Sequence, residues 1–228
     1  DEAYFERMNV QGTTNVLEAA IAAGVKRFVH CGTAGIYGQR VAGTIDERAP
    51  IRPWNSYERS KLAADERVRT LAGQAGMEYA ILRPTAVYGP GDERLLKLFR
   101  SVAKGRFPLF GRGEGRRHMI YVTDLADAFV RACTTPSAVN CELIVAGPKA
   151  VPLREMLQTI ARVANRPAFG PCLPLGPMLA LAAPYLDRSE VWDMAARWSA
   201  QASGGAPARR AEPGPLGAGR RGQAPLRQ

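Results

Sequence analysis

Apolar positions recur at helical spacing in the first part of the chain and then give way to short continuous apolar runs. Residues 2–24 have apolar side chains at every third or fourth position and end at Gly24, which predicts a helix. Residues 26–31 predict a short buried strand, and the pattern repeats as a helix over about 56–72 and a strand over 78–82. This helix–strand–helix–strand succession predicts a parallel α/β sheet.

Beyond Gly91 the pattern is less regular. It predicts, in order, a helix over 93–104, a turn-rich stretch to Arg117, a helix over about 123–134, a strand near 141–145 and a helix over 152–164. We interpret residues 93–198 as a small, mixed substrate-binding subdomain. In residues 201–228 ten of 28 positions are Gly or Pro, and Val, Ile, Phe, Tyr, Trp and Met are absent. Residues 199–228 are therefore expected to be a disordered tail.

The net charge of +10 raises the question of nucleic-acid binding. Residues 201–228 carry five arginines and a single acid, Glu212, so this segment supplies +4 of that charge. The other basic residues alternate with acids in helix-like segments and have no interleaved aromatic residues. Nucleic acid is therefore not expected as a partner, and a small-molecule substrate is.

Composition is that of an ordinary soluble protein, with 46% hydrophobic and 23% charged residues. The four cysteines lack the spacing of metal ligands, so we expect idle thiols in a reducing cytoplasm and no metal site; they are Cys31, Cys133, Cys141 and Cys172. The longest apolar run, residues 172–184, is too short to span a bilayer and contains three prolines. It predicts a packed helix or a lid over a substrate pocket. Stable membrane insertion is not expected, and shallow membrane contact stays open.

Tyr57 and Lys61 lie one turn apart in the predicted helix over 56–72, and Thr33 follows the strand over 26–31. A phenol is a poor base at neutral pH because its reference pKa is about 10. A cation four residues away on the same helix face favours the phenolate, and a threonine hydroxyl could hold the substrate oxygen. The set suits proton transfer at a carbinol or carbonyl carbon while a nicotinamide moves the hydride. Such a Tyr/Lys pair is also common on exposed helix faces.

Gly32, Gly35 and Gly38 have the spacing of a phosphate-binding loop and follow a predicted strand. Such a loop should open a helix whose N-terminal amides face a pyrophosphate. Residues 39–44 do not continue as a helix, and the glycine-rich segment 111–115 fails for the same reason. We interpret neither as the cofactor loop.

Five motifs together resemble the extended short-chain dehydrogenase/reductases, the NAD-dependent epimerase/dehydratase family. They are residues 9–19 (central helix), 28–38 (catalytic Ser/Thr strand), Tyr57 with Lys61 (catalytic helix), 82–91 (loop beside the nicotinamide) and 117–126 (late substrate-side motif). The resemblance implies a Rossmann-like parallel sheet and NAD or NADP as the cofactor. Residues 1–92 would then form the C-terminal half of the NAD(P)-binding domain.

The resemblance also implies a role for each matching residue. Tyr57 would be the acid/base, Lys61 would lower its pKa and bind the nicotinamide ribose, and Thr33 would bond the substrate oxygen. Pro84 and Thr85 would line the nicotinamide pocket. Together with Tyr57 and Lys61, they form the expected cofactor-binding set.

Two further matches are expected to have structural roles. Asn9 would tie the central helix to the backbone of the active site. Asp124 would cap a helix that begins near Leu125, because a carboxylate there satisfies free amides.

Departures from the family pattern narrow the chemistry. In sugar-nucleotide 4,6-dehydratases the residue matching Thr33 is followed by Asp-Glu, so Ala34-Gly35 disfavours water elimination. Ala86 replaces an asparagine that contacts the substrate diphosphate in many nucleotide-sugar epimerases, whereas Arg117 suits a diphosphate bidentately. Thr33, Ala34 and Arg117 would form the substrate side. A nucleotide sugar and a lipophilic alcohol or ketone, as in the sterol-dehydrogenase-like branch, both stay open.

Family members begin with a strand, a glycine-rich loop and an acidic residue that grips the adenosine ribose. We expect such a segment before Asp1, and we expect the residue that selects NAD or NADP to lie in it. The tail is expected to come from a shifted reading frame. A catalytically inactive fragment or binding module of the same fold is the remaining alternative. Whether the protein forms a homodimer stays open.

Overall fold

A computed structural model of the chain describes residues 1–38, 43–105, 107, 109 and 113–166. The helices are α1 (Glu2–Phe5), α2 (Gly12–Ala22), α3 (Ser56–Ala75), α4 (Glu93–Ala103), α5 (Val122–Thr134) and α6 (Leu153–Val163). The strands are β1 (Arg27–Cys31), β2 (Glu78–Pro84), β3 (Ala86–Tyr88), β4 (Arg116–Tyr121), β5 (Cys141–Val145) and β6 (Ala150–Pro152). The apolar run 172–184 and the predicted tail lie outside the described residues, and the division at residue 92 stays a prediction.

The first sheet is parallel and has the strand order β1-β2-β5. Successive side chains of β2 point to opposite faces. Ile81 packs with residues of α2 and α3, whereas Ala80 and Leu82 pack with Ala132 of α5 and with Ala138. Helices therefore cover both faces of the sheet, which confirms the predicted α/β class.

A second, smaller sheet has the order β3-β4-β6, in which β4 pairs with β3 in parallel and with β6 antiparallel. A separate core of Val102, Leu109, Leu157 and Ala161 joins α4 to α6. The expectation of a turn-rich stretch reaching Arg117 is wrong at its end, because β4 begins at Arg116. The strand is six residues long and opens with three basic side chains, so its pairing rather than its sequence pattern makes it a strand.

The expected capping role of Asp124 is also wrong. Helix α5 begins at Val122, and Tyr121 occupies the N-cap position without a side-chain hydrogen bond. Asp124 therefore lies inside the first turn, where its negative charge interacts favourably with the positive end of the helix dipole.

Helix α3 has strong local signals at both ends. The Asn55 side chain accepts a hydrogen bond from the Glu58 amide at 2.8 Å, and the Glu58 carboxylate accepts one from the Trp54 amide at 2.6 Å. This reciprocal arrangement is a variant of the capping box. Gly76 ends the helix in the left-handed conformation with φ of 66°. The cap places Tyr57 in the first turn of the helix.

Candidate active site

The carboxyl ends of β1 and β2 bring two predicted site segments together. Cys31 is in register with Leu82, and the Gly32 amide donates to the Leu82 carbonyl at 2.7 Å. Thr33 therefore lies beside the end of β2, where Pro84 is the last strand residue and Thr85 follows it. Ligands of parallel α/β sheets bind at this edge.

Thr33 is extended and caps a short 3₁₀ turn, Ala34–Tyr37. Its hydroxyl accepts a hydrogen bond from the Gly35 amide at 3.1 Å. The same side chain is near enough to the phenol of Tyr57 to lower the pKa of Tyr57 by hydrogen bonding. Two of the three predicted catalytic residues are thus neighbours.

Tyr57 is held in place by its own helix and by the first helical segment. A π-helical turn, Glu6–Gln11, joins α1 to α2. Within it, the Asn9 amide donates to the Ser60 hydroxyl at 2.9 Å, and Ser60 donates to the Tyr57 carbonyl at 2.8 Å. The Phe5 ring meets the Tyr57 ring edge-on, with 5.5 Å between centroids. Among the described residues, Asn9 therefore reaches the backbone of α3 only through the Ser60 hydroxyl and not by the expected direct contact, and 40% of Tyr57 remains exposed.

The electrostatics of Tyr57 differ from the sequence-based expectation. Burial raises the pKa of Tyr57, and the neighbouring Cys31 and Glu58 raise it further. Arg94 and the hydrogen bond with Thr33 act in the opposite direction but do not prevail. The pKa is therefore above its ordinary value, and the expected lowering by Lys61 does not determine it.

The influence of Lys61 is visible on Cys31 instead. Burial raises the pKa of the Cys31 thiol, Lys61 lowers it and Asp65 raises it, with a net upward shift. Lys61 thus lies near Cys31, the last residue of β1. Sequence reasoning missed Cys31 and Arg94 as neighbours of the site. Cys31 could have been found from its place two residues before Thr33, whereas no local signal marks Arg94.

Thr85 offers a test of whether the site suits a nicotinamide. Its hydroxyl oxygen is buried and has no hydrogen-bond partner among the described residues. Its backbone amide donates to the Val145 carbonyl at 3.0 Å, which fixes the segment beside buried Pro84. An orphaned buried hydroxyl favours a ligand with polar groups, so these residues fit the cofactor position predicted for them.

The expected substrate side is divided between the two sheets. Ala34 directly follows Thr33 and opens the 3₁₀ turn, whereas Arg117 is exposed on β4 and lies in register with Val151. The contact of Arg117 with a substrate stays a prediction. Among the described residues, no helix is long and apolar enough to cross a membrane, and no cluster of His, Cys, Asp and Glu could hold a metal ion.

Gly32 and Gly35, which have the spacing of a phosphate-binding loop, make room for side chains of α3. A side chain at Gly32 would lie 2.9 Å from a carboxylate oxygen of Asp65, and one at Gly35 would lie 3.1 Å from that of Glu58. Both glycines admit acidic side chains of α3, and such neighbours would repel a phosphate. The interpretation that this segment is not the cofactor loop agrees with that geometry.

Replacing Gly32 by alanine is expected to lower the free energy of unfolding by about 1–3 kcal/mol, because the added methyl group overpacks a buried contact. It would also meet the Arg83 side chain at 3.1 Å. Urea unfolding measures the change. Gly73→Ala is the matched control: nothing lies within 4 Å of the added group, and it lies inside α3. That variant should gain about 0.5–1 kcal/mol, and a Gly32→Ala chain as stable as the parent would contradict the packing described.

The chain resembles known enzymes over most of the described residues. It is 31% identical over 172 residues to a UDP-glucose 4-epimerase of Vibrio cholerae, covering 72% of this chain and 52% of that protein. It is 32% identical over 132 residues to a 3beta-hydroxysteroid-dehydrogenase/decarboxylase of Arabidopsis thaliana, covering 55% of this chain and 30% of that protein. The chain spans about half the length or less of these relatives.

A solved structure gives the same result for the fold. The crystal structure of a dTDP-glucose 4,6-dehydratase from Streptomyces venezuelae with NAD bound superposes with a TM-score of 0.64 at 26% identity. The match covers 76% of this chain and 55% of that one. Residues 1–147 match the NAD dependent epimerase/dehydratase family, the family that the motifs resemble. The chain therefore belongs to the NAD dependent epimerase/dehydratase family.

Proposed function

We propose that this chain carries the proton-transfer part of an NAD(P)-dependent oxidoreductase or epimerase that acts on a secondary alcohol or ketone of a nucleotide sugar. The observation that carries the proposal is the placement of Thr33 next to the phenol of Tyr57 at the carboxyl edge of the first sheet. Membership of the family and a UDP-glucose 4-epimerase among the relatives support it.

In this mechanism Thr33 holds the reacting oxygen of the substrate and Tyr57 exchanges a proton with it. During oxidation the phenolate of Tyr57 takes the hydroxyl proton, and during reduction the phenol returns it. NAD(P), when bound, accepts or supplies the hydride. Lys61, Pro84 and Thr85 would hold the nicotinamide and its ribose. In an epimerase, Tyr57 would return the proton after the ketone has turned over in the pocket.

A lipophilic alcohol is the second candidate substrate, supported by the relative named as a 3beta-hydroxysteroid-dehydrogenase/decarboxylase and by the absence of an amide at Ala86. Arg117 favours the nucleotide sugar because a guanidinium binds a diphosphate bidentately. Ala34 in place of an acid disfavours the dehydratase reaction. An inactive fragment or a binding module of this fold is the non-catalytic alternative. Assembly as a homodimer and a cytoplasmic location stay predictions.

Calorimetric titration of the chain with NADH and with NADPH tests the cofactor role. We expect binding of at least one of the two, and a Kd about tenfold or more higher in Lys61→Met, because a hydrogen bond from a charged group contributes about 1.5–3 kcal/mol. Lys97→Met, at an exposed position on α4, is the control and should bind as the parent does.

Turnover assays then distinguish the substrates. The chain is supplied with NAD or NADP and either UDP-glucose or a 3β-hydroxysteroid, and reduced nucleotide and epimerised sugar are measured. Conversion of UDP-glucose supports the leading proposal, and conversion of the steroid alone supports the second. Absence of both nucleotide binding and turnover would favour the inactive fragment, and nucleotide binding without turnover would favour the binding module.

A further inference from the structure

Arg83 is a fully buried charge with three partners on three different elements. Its Nε donates to Asp65 of α3 at 3.0 Å, one terminal nitrogen donates to the Tyr37 hydroxyl at 2.7 Å, and the other donates to Glu142 of β5. The side chain is 1% exposed. Burial lowers the pKa of Arg83, but Asp65, Glu142 and Tyr37 raise it by more, so the guanidinium stays charged.

The second oxygen of the Asp65 carboxylate faces β1 and has no hydrogen-bond partner among the described residues. Asp65 is 0% exposed, and its second oxygen lies 3.4 Å from Nε2 of His30 on β1. Gly32 allows this approach, since a side chain there would lie 2.9 Å from the same oxygen. Asp65 is therefore enclosed between Arg83 and the last residues of β1.

Two partners of Arg83, and Arg83 itself, lie on elements that carry residues of the candidate active site. Asp65 lies one turn after Lys61 on the same helix face. Tyr37 is the last residue of the 3₁₀ turn that Thr33 caps. Arg83 itself directly precedes the Pro84–Thr85 segment. The guanidinium thus connects the helix of Tyr57 and Lys61, the turn that Thr33 caps and strand β5 to its own strand, β2, which ends at Pro84.

Stability alone is a weak reason for such a network. A buried ion pair gives up so much hydration that apolar side chains of equal volume often stabilise a fold as well or better. What an arginine adds is geometry, because its planar group presents five donors in a fixed arrangement. The three partners of Arg83 can only be satisfied together in one relative placement of their elements.

We infer that Arg83 is a positioning residue whose guanidinium sets the Thr33 turn against the helix of Tyr57 and Lys61. Any effect of Arg83 on turnover rests on the function proposed above, whereas its effect on the placement of the turn against the helix does not. Tyr37 transmits the constraint to the turn and Asp65 transmits it to the helix.

Amide hydrogen exchange of the turn tests the inference without requiring activity. In the parent, the Gly35 amide is bonded to the Thr33 hydroxyl at 3.1 Å and the Gly38 amide to the Gly35 carbonyl at 2.9 Å. Tyr37→Phe removes one oxygen and no charge, and Arg83→Lys keeps the charge without the three-way arrangement. We expect both variants to exchange the Gly35 and Gly38 amides about tenfold faster or more in native buffer. The urea dependence of exchange separates this local opening from global unfolding.

Arg27 provides a matched control at the opposite edge of the same sheet. It also makes three contacts, with the Glu78 carboxylate at 2.8 Å and with the carbonyls of Ala132 and Thr135 at 2.8 and 2.9 Å. Arg27→Lys should change the urea midpoint and leave exchange of the turn unchanged. If it accelerates the turn as much as Arg83→Lys does, Arg83 has only a general structural role. If Arg83→Lys does not fold, Tyr37→Phe decides alone.

In an active preparation the same variants should lower kcat with KM for the substrate unchanged, because the aligned groups rather than the binding pocket are disturbed. Parent-like exchange of the turn in Tyr37→Phe would overturn the inference. The two proposals can also fail separately. If Tyr37→Phe accelerates exchange of the turn but a Tyr57→Phe chain keeps full turnover, the positioning role of Arg83 stands and the proposed function is wrong.

Discussion

Replacing Tyr57 by phenylalanine is expected to lower kcat by about 10²–10⁴-fold, because the substituted side chain cannot exchange a proton with the substrate oxygen. Stability should change little, since Tyr57 is 40% exposed and its ring contact with Phe5 survives in the variant. Stopped-flow or steady-state measurement of reduced nucleotide gives the rate, and urea unfolding gives the stability.

Tyr79→Phe is the control, because it removes the same oxygen at the amino end of β2, away from the candidate site. It should leave kcat unchanged. A Tyr57→Phe chain with the parent's kcat would remove this residue from the mechanism, and a loss of activity that follows a loss of folded protein would assign it a structural role.

The raised pKa of Tyr57 predicts the direction of the pH dependence. Oxidation of the alcohol needs the phenolate, so kcat/KM for oxidation should rise with pH through neutrality, and the rise should continue beyond the ordinary tyrosine range. Reduction needs the phenol, so its kcat/KM should stay constant through neutrality and fall only as the pH passes the raised pKa of Tyr57. Arg94 lowers the pKa of Tyr57, so Arg94→Gln should move both limbs to still higher pH.

Arg83→Met is expected to lower the free energy of unfolding by about 3–5 kcal/mol, the largest effect on stability expected here. The reason is the carboxylate of Asp65, which is 0% exposed and would be left without its 3.0 Å partner. Urea or thermal unfolding of the purified variant measures the change. A loss below about 1 kcal/mol would mean that the pair behaves like an exposed ion pair and would contradict the described burial.

A double-mutant cycle of Arg83 and Asp65 shows whether Arg83→Met loses stability through the unpaired carboxylate or through lost packing. Asp65→Asn removes the charge while keeping the shape, so the chain with both Arg83→Met and Asp65→Asn should be more stable than Arg83→Met alone. If the two changes are additive, the loss in Arg83→Met comes from packing. Arg69→Met, on the surface beside Glu142, should have an effect within about 1 kcal/mol.

Local chemistry explains why much of the fold could be predicted. The helix that carries Tyr57 begins where the side chains of Asn55 and Glu58 accept hydrogen bonds from nearby amides, and it ends at a glycine with positive φ. These contacts connect residues only a few positions apart, so they are readable in the chain. The short strands β3 and β6 have no such signal, because they are strands only through pairing with β4.

The sequence by itself predicted the succession of helices and strands along the chain, the parallel first sheet and the candidate set Thr33, Tyr57 and Lys61. Order and spacing of motifs suffice for this, because parallel strands bring their carboxyl ends to one edge. Tertiary structure alone decided the environment of that set. Burial, rather than Lys61, determines the direction of the pKa shift of Tyr57. Contacts of Arg83 with partners 18, 46 and 59 positions away join the turn, the helix and the sheet, and pairings over such separations exist only in the folded chain.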